Sequence, residues 1–172
     1  MSVSDGRTGI YYKILNYDLV HHKFQYKLGL NIDTNPFNPT GSCKPGGLYY
    51  TDFEHIHMFL EFGCYIAEVR IPSSAKVYKD PSGTKWKADK IRIMNYTLFE
   101  NYKPFHNKEW LLKAVRHKGA YLTFLPEKLR SFMICQEAIK QNDLIISEPS
   151  SQMYWFIYRK YPELLNYKKK IQ

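Results

Sequence analysis

Short apolar and aromatic runs between residues 10 and 94 predict that the first part of the chain is rich in β-strands. The clearest strand is 64–71, where every odd-numbered residue is apolar and Pro72 follows at the end. The segment 23–28 alternates apolar residues with lysine and glutamine, which is typical of a half-buried strand. Further strands are predicted over 10–17, 48–51, 75–78 and 86–94.

One helix is predicted within this first part. Thr51 and Glu54 have the spacing of a capping box, and Gly63 is placed to end a helix that reaches Phe62. The segment 31–47 before it is dominated by asparagine, aspartate, proline and glycine, which predicts a long loop. Phe37 and Cys43 either pack this loop against the domain or face a ligand.

Beyond Asn95 the hydrophobic period changes to that of helices. Asn107 is expected to cap a helix over 108–118, Ser131 a second helix that ends at Asn142, and Ser150 or Ser151 a third over 153–160. The segment 112–119 aligns with 136–143, so the first two helices resemble copies of a repeat of about 24 residues.

Together these patterns predict an α+β fold. Residues 1–98 are expected to form a small mixed α/β domain with a twisted sheet and one main helix. Residues 99–172 are expected to form two or three short stacked helices. A length of 172 residues fits one domain with a small appendage.

Composition excludes several classes of protein. Three cysteines, an odd number without close spacing, argue against a disulfide framework and against a structural zinc site, and favour a reducing compartment. No apolar run approaches the roughly 20 residues of a membrane span. The polar start, 1–9, lacks the apolar centre of a signal peptide, so we expect an intracellular protein that is not secreted and does not bind a membrane.

The net charge of +9 is concentrated near the carboxyl end, since residues 1–100 carry +2 and residues 101–172 carry +7. This asymmetry is typical of proteins with an acidic partner, which can be a nucleic acid, a membrane surface or an acidic protein, or it serves solubility alone. For nucleic acid, aromatic rings beside basic groups would stack on bases and neutralise phosphates. The candidate residues for that role are Trp155, Tyr158, Arg159, Lys160, Lys168, Lys169 and Lys170.

The segment 46–52, followed by a predicted helix and a strand that carries Glu68, is similar to the second motif of ADP-ribosyltransferases. The resemblance implies that Tyr49 or Tyr50 stacks on nicotinamide and that Glu68 lies in the same pocket, while Glu100 is the formal candidate for the Glu that this family uses later in the chain. Tyr49, Tyr50 and Glu68 are therefore the candidate ligand pocket. The chain shows no counterpart of that family's first motif, a His-Gly or an Arg that opens a strand.

A broader resemblance spans residues 10–95. The segments 24–31, 45–51, 63–72 and 85–93 resemble, in this order, the N-terminal domain of ankyrin and other helical-repeat proteins of mimivirus-type giant viruses. Residues 107–150 are similar to a short helical repeat of the same viruses. The resemblance implies a virus-encoded, modular, intracellular protein of the host cytoplasm or virion.

These observations predict a non-enzymatic interaction module that binds a protein partner, without cofactor, metal or catalytic residues. Nucleic-acid binding through the basic carboxyl-terminal part is the first alternative. An ADP-ribosyltransferase-like enzyme is the second.

Overall fold

The computed structural model describes residues 6–142, 147 and 150–170, with side chains up to residue 166. The chain divides into two compact units, Met1–Leu98 and Phe99–Gln172. The described part of the first unit is built mainly of strands, and that of the second consists of short helices. The predicted α+β class is confirmed.

Antiparallel pairing organises the first unit. β1, β6, β9 and β4 form a four-stranded sheet in that order, β5, β8 and β7 form a three-stranded sheet, and β2 and β3 form a hairpin. The strands are β1 (Tyr11–Leu15), β2 (Val20–His21), β3 (Phe24–Gln25), β4 (Gly29–Ile32), β5 (Leu48–Tyr50), β6 (Tyr65–Arg70), β7 (Val77–Lys79), β8 (Trp86–Ala88) and β9 (Lys90–Leu98).

The hydrophobic core of this unit combines residues from both larger sheets. At its centre, the ring of Tyr11 makes edge contacts with Tyr50 and Trp86, with centroid distances of 5.2 and 5.7 Å. Edge contacts of this kind are favoured by the charge distribution of aromatic rings. Ile91 and Ile93 complete the core from β9, on the face that the sequence predicts to be apolar.

Two predicted elements of the first unit are wrong. The capping box does not start an α-helix, because the backbone of Thr51 forms a bridge with Tyr12 and its hydroxyl donates to the Thr84 carbonyl. A 3-10 helix, Ile56–Phe62, follows instead of the predicted main helix.

The predicted strand 86–94 is in fact two strands in different sheets. They separate at Asp89, whose carboxylate and backbone N–H bond to the backbone of Lys76, while its carbonyl accepts from Asp33 N–H. These bonds take Asp89 out of both ladders and turn the chain between the sheets.

The second unit contains α1 (Lys108–His117), α2 (Phe132–Gln141) and α3 (Gln152–Lys160). The Asn107 side chain accepts a bond of 2.8 Å from Trp110 N–H, and Ser151 caps α3 in the same way. Ser131 occupies the N-cap of α2 without a side-chain bond to the backbone. The 3-10 helices in the described part of this unit are Phe99–Asn101, Lys103–Phe105, Gly119–Thr123, Glu127–Leu129 and Pro162–Lys170.

α1 and α2 pack against each other, and four buried positions of α1 recur 24 residues later in α2. A Cβ atom on Gly119 would lie 2.4 Å from the Ala138 carbonyl oxygen, so only glycine permits this close approach. An ion pair of 3.0 Å joins Arg116 to Glu137. The equivalent buried pairs are Trp110 and Ile134, Leu111 and Cys135, Ala114 and Ala138, and Val115 and Ile139.

Candidate functional site

A cavity of about 560 Å³ opens in the first unit. Its walls come from β1, the β2–β3 hairpin, the loop 33–47, β5 and the 3-10 helix Ile56–Phe62. This volume lies within the usual range of small-molecule sites, about 300–1,000 Å³. The aromatic residues among those that line it are Tyr12, Phe24, Tyr26, Tyr49, Tyr50, Phe59 and Phe62.

Lys13 lines this cavity from an inward position of β1, between the core residues Tyr11 and Leu15. Its side chain is buried, and its Nζ donates a bond of 2.9 Å to the Tyr49 carbonyl and lies 4.7 Å from the centre of the Tyr26 ring. Burial lowers the pKa of Lys13 to about 7, since a charged amine loses hydration there. Near neutral pH the amine therefore exists in both protonation states.

The cavity carries an excess of positive charge. Lys23, Lys44 and Lys85 line it in addition to Lys13, whereas Asp33 is the one carboxylate among the described lining residues. The Asp33 carboxylate already accepts the backbone N–H of Gly47 at 2.6 Å and that of Asn35 at 2.9 Å. It is thereby occupied in holding the loop.

Two stacked imidazoles, His21 and His22, form another part of the wall, with ring centroids 4.2 Å apart. The Nε2 atom of His21 is buried and has no hydrogen-bond partner among the described residues. Burial lowers the pKa of His21 to about 4, and the charges of Lys13 and His22 act in the same direction. At neutral pH His21 is therefore uncharged.

Cys43 and Lys85 form a thiol–amine pair on the wall of the cavity. The Lys85 Nζ lies 2.9 Å from the Cys43 Sγ and 3.8 Å from a carboxylate oxygen of Asp80. The hydrogen bond from Lys85, assisted by one from Ser42, holds the pKa of the Cys43 thiol below its ordinary value. Cys43 is exposed, so the interpretation that it packs the loop down is wrong.

The loop 33–47 is instead tied down by a buried lysine, Lys87. Its Nζ donates to the carbonyl oxygens of Thr40 at 3.2 Å and Lys44 at 3.3 Å. It also lies over the rings of Tyr49 and Tyr78, 5.5 and 5.4 Å from their centres. This fixed loop forms one rim of the cavity.

The structure brings two of the three predicted pocket residues together. The Tyr49 ring lines the cavity and contacts the ammonium of Lys85 at 5.2 Å, while Tyr50 lies deeper and donates from its hydroxyl to the Gly6 carbonyl. Glu68 is absent from the described lining residues and accepts a bond of 2.9 Å from Asn95.

Sequence reasoning missed Lys13, Lys85 and the two histidines as parts of one site. A usable signal for Lys13 existed, because a lysine stands between two inward-facing apolar residues of a predicted strand. Lys85 and the histidines carry no comparable signal, since hairpin and loop geometry places them.

A second candidate surface, the α3 aromatic face, consists of Trp155, Tyr158 and Arg159, at helical positions i, i+3 and i+4. Trp155 and Tyr158 are 48% and 51% exposed, and their ring centroids lie 5.4 Å apart. Lys160 is also exposed, but its Nζ lies over the rings of Phe156 and Tyr161, 5.5 and 5.9 Å from their centres. The side chains of the other candidates, Lys168, Lys169 and Lys170, lie outside the described residues.

In the described part of the chain, no three His, Cys, Asp or Glu side chains come close enough to hold a metal ion. Nor does any helix of the described residues have both the length and the hydropathy that crossing a bilayer requires.

About half of the chain is similar to proteins of Acanthamoeba polyphaga mimivirus. It is 48% identical over 87 residues to "Putative ankyrin repeat protein R868", a stretch of 48% of this chain and 43% of that protein. It is 38% identical over 82 residues to "Putative ankyrin repeat protein R229", covering 44% of this chain and 27% of that protein. "Uncharacterized protein R869" is 45% identical over 65 residues, 37% of this chain and 47% of its own length.

These similarities confirm the resemblance to mimivirus ankyrin-type proteins. This chain spans less than half the length of each of these curated relatives. No family model matches the chain, and no solved structure does.

Proposed function

We propose that this protein is a non-enzymatic interaction module that binds an acidic protein partner inside the infected cell, in the host cytoplasm or the virion. The observation that carries the proposal is the α3 aromatic face. Two large aromatic side chains lie about half in solvent there, beside Arg159, while Met153, Phe156 and Ile157 of the same helix are buried. Tryptophan, tyrosine and arginine are the residues that most often dominate binding energy at protein interfaces.

The positive charge of this region favours a partner with an acidic surface. Arg159 and Lys160 lie in the last turn of α3, and residues 101–172 carry a net charge of +7. Such a surface attracts acidic surfaces and speeds their association. The mimivirus relatives named as ankyrin repeat proteins support the same class of function.

Affinity capture from infected cells, with and without nuclease, tests this proposal. The double variant Trp155→Ala with Tyr158→Ala is compared with Tyr17→Ala, which removes an exposed ring from the other unit. We expect the wild type and Tyr17→Ala to capture the same partner protein whether or not nuclease is added. With the double variant, the recovered amount of that protein should fall at least tenfold. Equal recovery by all three proteins would contradict the assignment to α3.

Nucleic-acid binding through the same face is the second candidate, favoured by the adjacent rings of Trp155 and Tyr158 next to Arg159, with Lys160 in the same turn of the helix. Stacking contributes about 1–3 kcal/mol per base, and phosphate contacts weaken steeply with salt. Fluorescence anisotropy with a short single strand separates the candidates. Binding tighter than about 1 μM at physiological salt, lost in Arg159→Glu with Lys160→Glu, would favour nucleic acid, because non-specific binding is ordinarily weaker.

A further inference from the structure

We propose that the cavity of the first unit is a binding site for a small phosphorylated molecule that carries a planar ring, of about the size of a mononucleotide. This proposal is independent of the α3 aromatic face, because the two sites belong to different units. The first argument is charge. Four lysines line the cavity, of which Lys85 is paired with Asp80 outside the lining, and the one described carboxylate of the lining, Asp33, is already bonded to the loop backbone.

The second argument is the unused hydrogen-bonding capacity of Lys13. A lysine ammonium has three N–H donors. Among the described residues it meets one acceptor, the Tyr49 carbonyl, and one ring face, that of Tyr26. No carboxylate of the described part lies within ion-pair distance of it. A phosphate in the cavity would supply both the missing acceptors and the missing negative charge.

A third argument comes from His21. Its buried Nε2 lacks a partner among the described residues, and a buried polar atom without a hydrogen bond is costly. The neutral ring donates one N–H, which suits a phosphate oxygen. Lys13 and His21 both line this cavity, so one ligand in it has access to the surroundings of both groups.

The aromatic residues of the cavity wall indicate that the ligand carries a planar ring in addition to its phosphate. Seven of the lining residues are aromatic, and flat rings stack well on aromatic surfaces. A volume of about 560 Å³ accommodates one ring system with its sugar and phosphate. An inorganic anion alone would leave these walls uncovered.

Calorimetric titration of the full chain tests the proposal. The probes are adenosine and uridine 5′-monophosphate, the two matching nucleosides and inorganic phosphate. We expect at least one nucleotide to bind with a Kd of about 10–100 μM, typical of a ligand of this size. The corresponding nucleoside and phosphate should each bind at least tenfold more weakly. Nucleotide Kd values above about 1 mM would overturn the proposal.

Paired variants locate the site. Lys13→Met should weaken nucleotide binding at least tenfold, whereas Lys27→Met, which removes an exposed lysine outside the cavity lining, should leave it unchanged. Equal affinity of both variants would overturn the assignment to this cavity.

Proton uptake by the wild type on nucleotide binding tests whether the ligand binds beside Lys13, even if Lys13→Met fails to fold. At pH 8 the Lys13 amine is mostly neutral, because burial lowers its pKa to about 7, and a bound phosphate would restore its proton. The titratable groups near it are Tyr26 and His21. The remaining ones on the wall include His22, Lys23, Asp33, Cys43, Lys44 and Lys85. Titrations in two buffers of different ionisation enthalpy should show uptake of about one proton, and no uptake would overturn the proposal.

Discussion

The Nζ atom of Lys13 lies 2.9 Å from the carbonyl oxygen of Tyr49, on the inner face of β1. This bond joins the four-stranded sheet to β5 of the three-stranded sheet. A neutral carbonyl compensates a buried charge less well than a carboxylate does, so burial dominates the protonation of Lys13. The charged amine therefore destabilises the first unit while the cavity is empty.

The stability of the first unit should depend on pH through Lys13. Its pKa is about 7 in the folded state and about 10.4 in an unfolded chain, so the unfolded state binds more protons between these values. The free energy of unfolding should therefore rise from pH 7 towards pH 10. Lys13→Met should raise it by about 1–3 kcal/mol at pH 7 and flatten this rise. Urea denaturation at pH 7.0 and 9.0 measures both effects.

Lys27→Met is the control for this series, because Lys27 is exposed on the same unit. Its pH dependence should match that of the wild type. Above pH 10 the Tyr26 hydroxyl, whose pKa burial raises, would act in the opposite direction, so the comparison stays below that pH. A wild-type stability that is flat from pH 7 to 9 would contradict the prediction.

Cys43 should be the most reactive thiol of the folded chain at pH 7. The hydrogen bond from Lys85 lowers its pKa and increases its thiolate fraction, whereas burial raises the pKa of Cys135 to about 12. Exchange with an aromatic disulfide, followed by peptide mass spectrometry, gives the rate at each cysteine. Lys85→Met should slow Cys43 several-fold, and Lys76→Met, an exposed lysine, should not. Equal rates in both variants would exclude Lys85 as the cause.

The predictable parts of the fold are those in which local chemistry and packing agree. Asn107 caps α1 because its amide oxygen reaches the Trp110 N–H within one turn. The inward residues of α2 follow a helical period that the sequence displays directly. The cap at Thr51 does not form, because a long-range bridge to Tyr12 competes with it. The predicted strand 86–94 is divided at Asp89 by bonds to Lys76. Both wrong predictions result from contacts between residues that are distant in sequence.

The candidate site was predictable to the same limited degree. Tyr49 and Tyr50 do line a cavity, since the turn formers before them force the chain into a loop beside β5. Glu68, although on a correctly predicted strand, is not among the described lining residues, because sheet register determines its surroundings. The pairing of Cys43 with Lys85 spans 42 residues and depends on how the loop is tied, which no short motif encodes.

Helix capping supplies a matched pair of stability tests in the second unit. Asn107→Ala removes the 2.8 Å bond to Trp110 N–H and should lower the free energy of unfolding by about 1 kcal/mol. Ser131→Ala at the N-cap of α2 should cost much less, because that side chain makes no cap bond. Thermal unfolding of both variants measures the difference. A cost for Ser131→Ala equal to that of Asn107→Ala would contradict the expected order.

A fragment of residues 1–98 should fold by itself. The core of the first unit draws its buried residues from the two larger sheets and the segments between them, all within Met1–Leu98. We therefore expect one cooperative thermal transition, with an unfolding enthalpy of about 60–80 kcal/mol, as is usual for a domain of about 100 residues. Calorimetry measures this enthalpy. Disulfide exchange at Cys43 should remain fast in the fragment, because the fragment also contains Lys85. A fragment that is insoluble or melts without cooperativity would show that residues 99–172 are needed to complete the core.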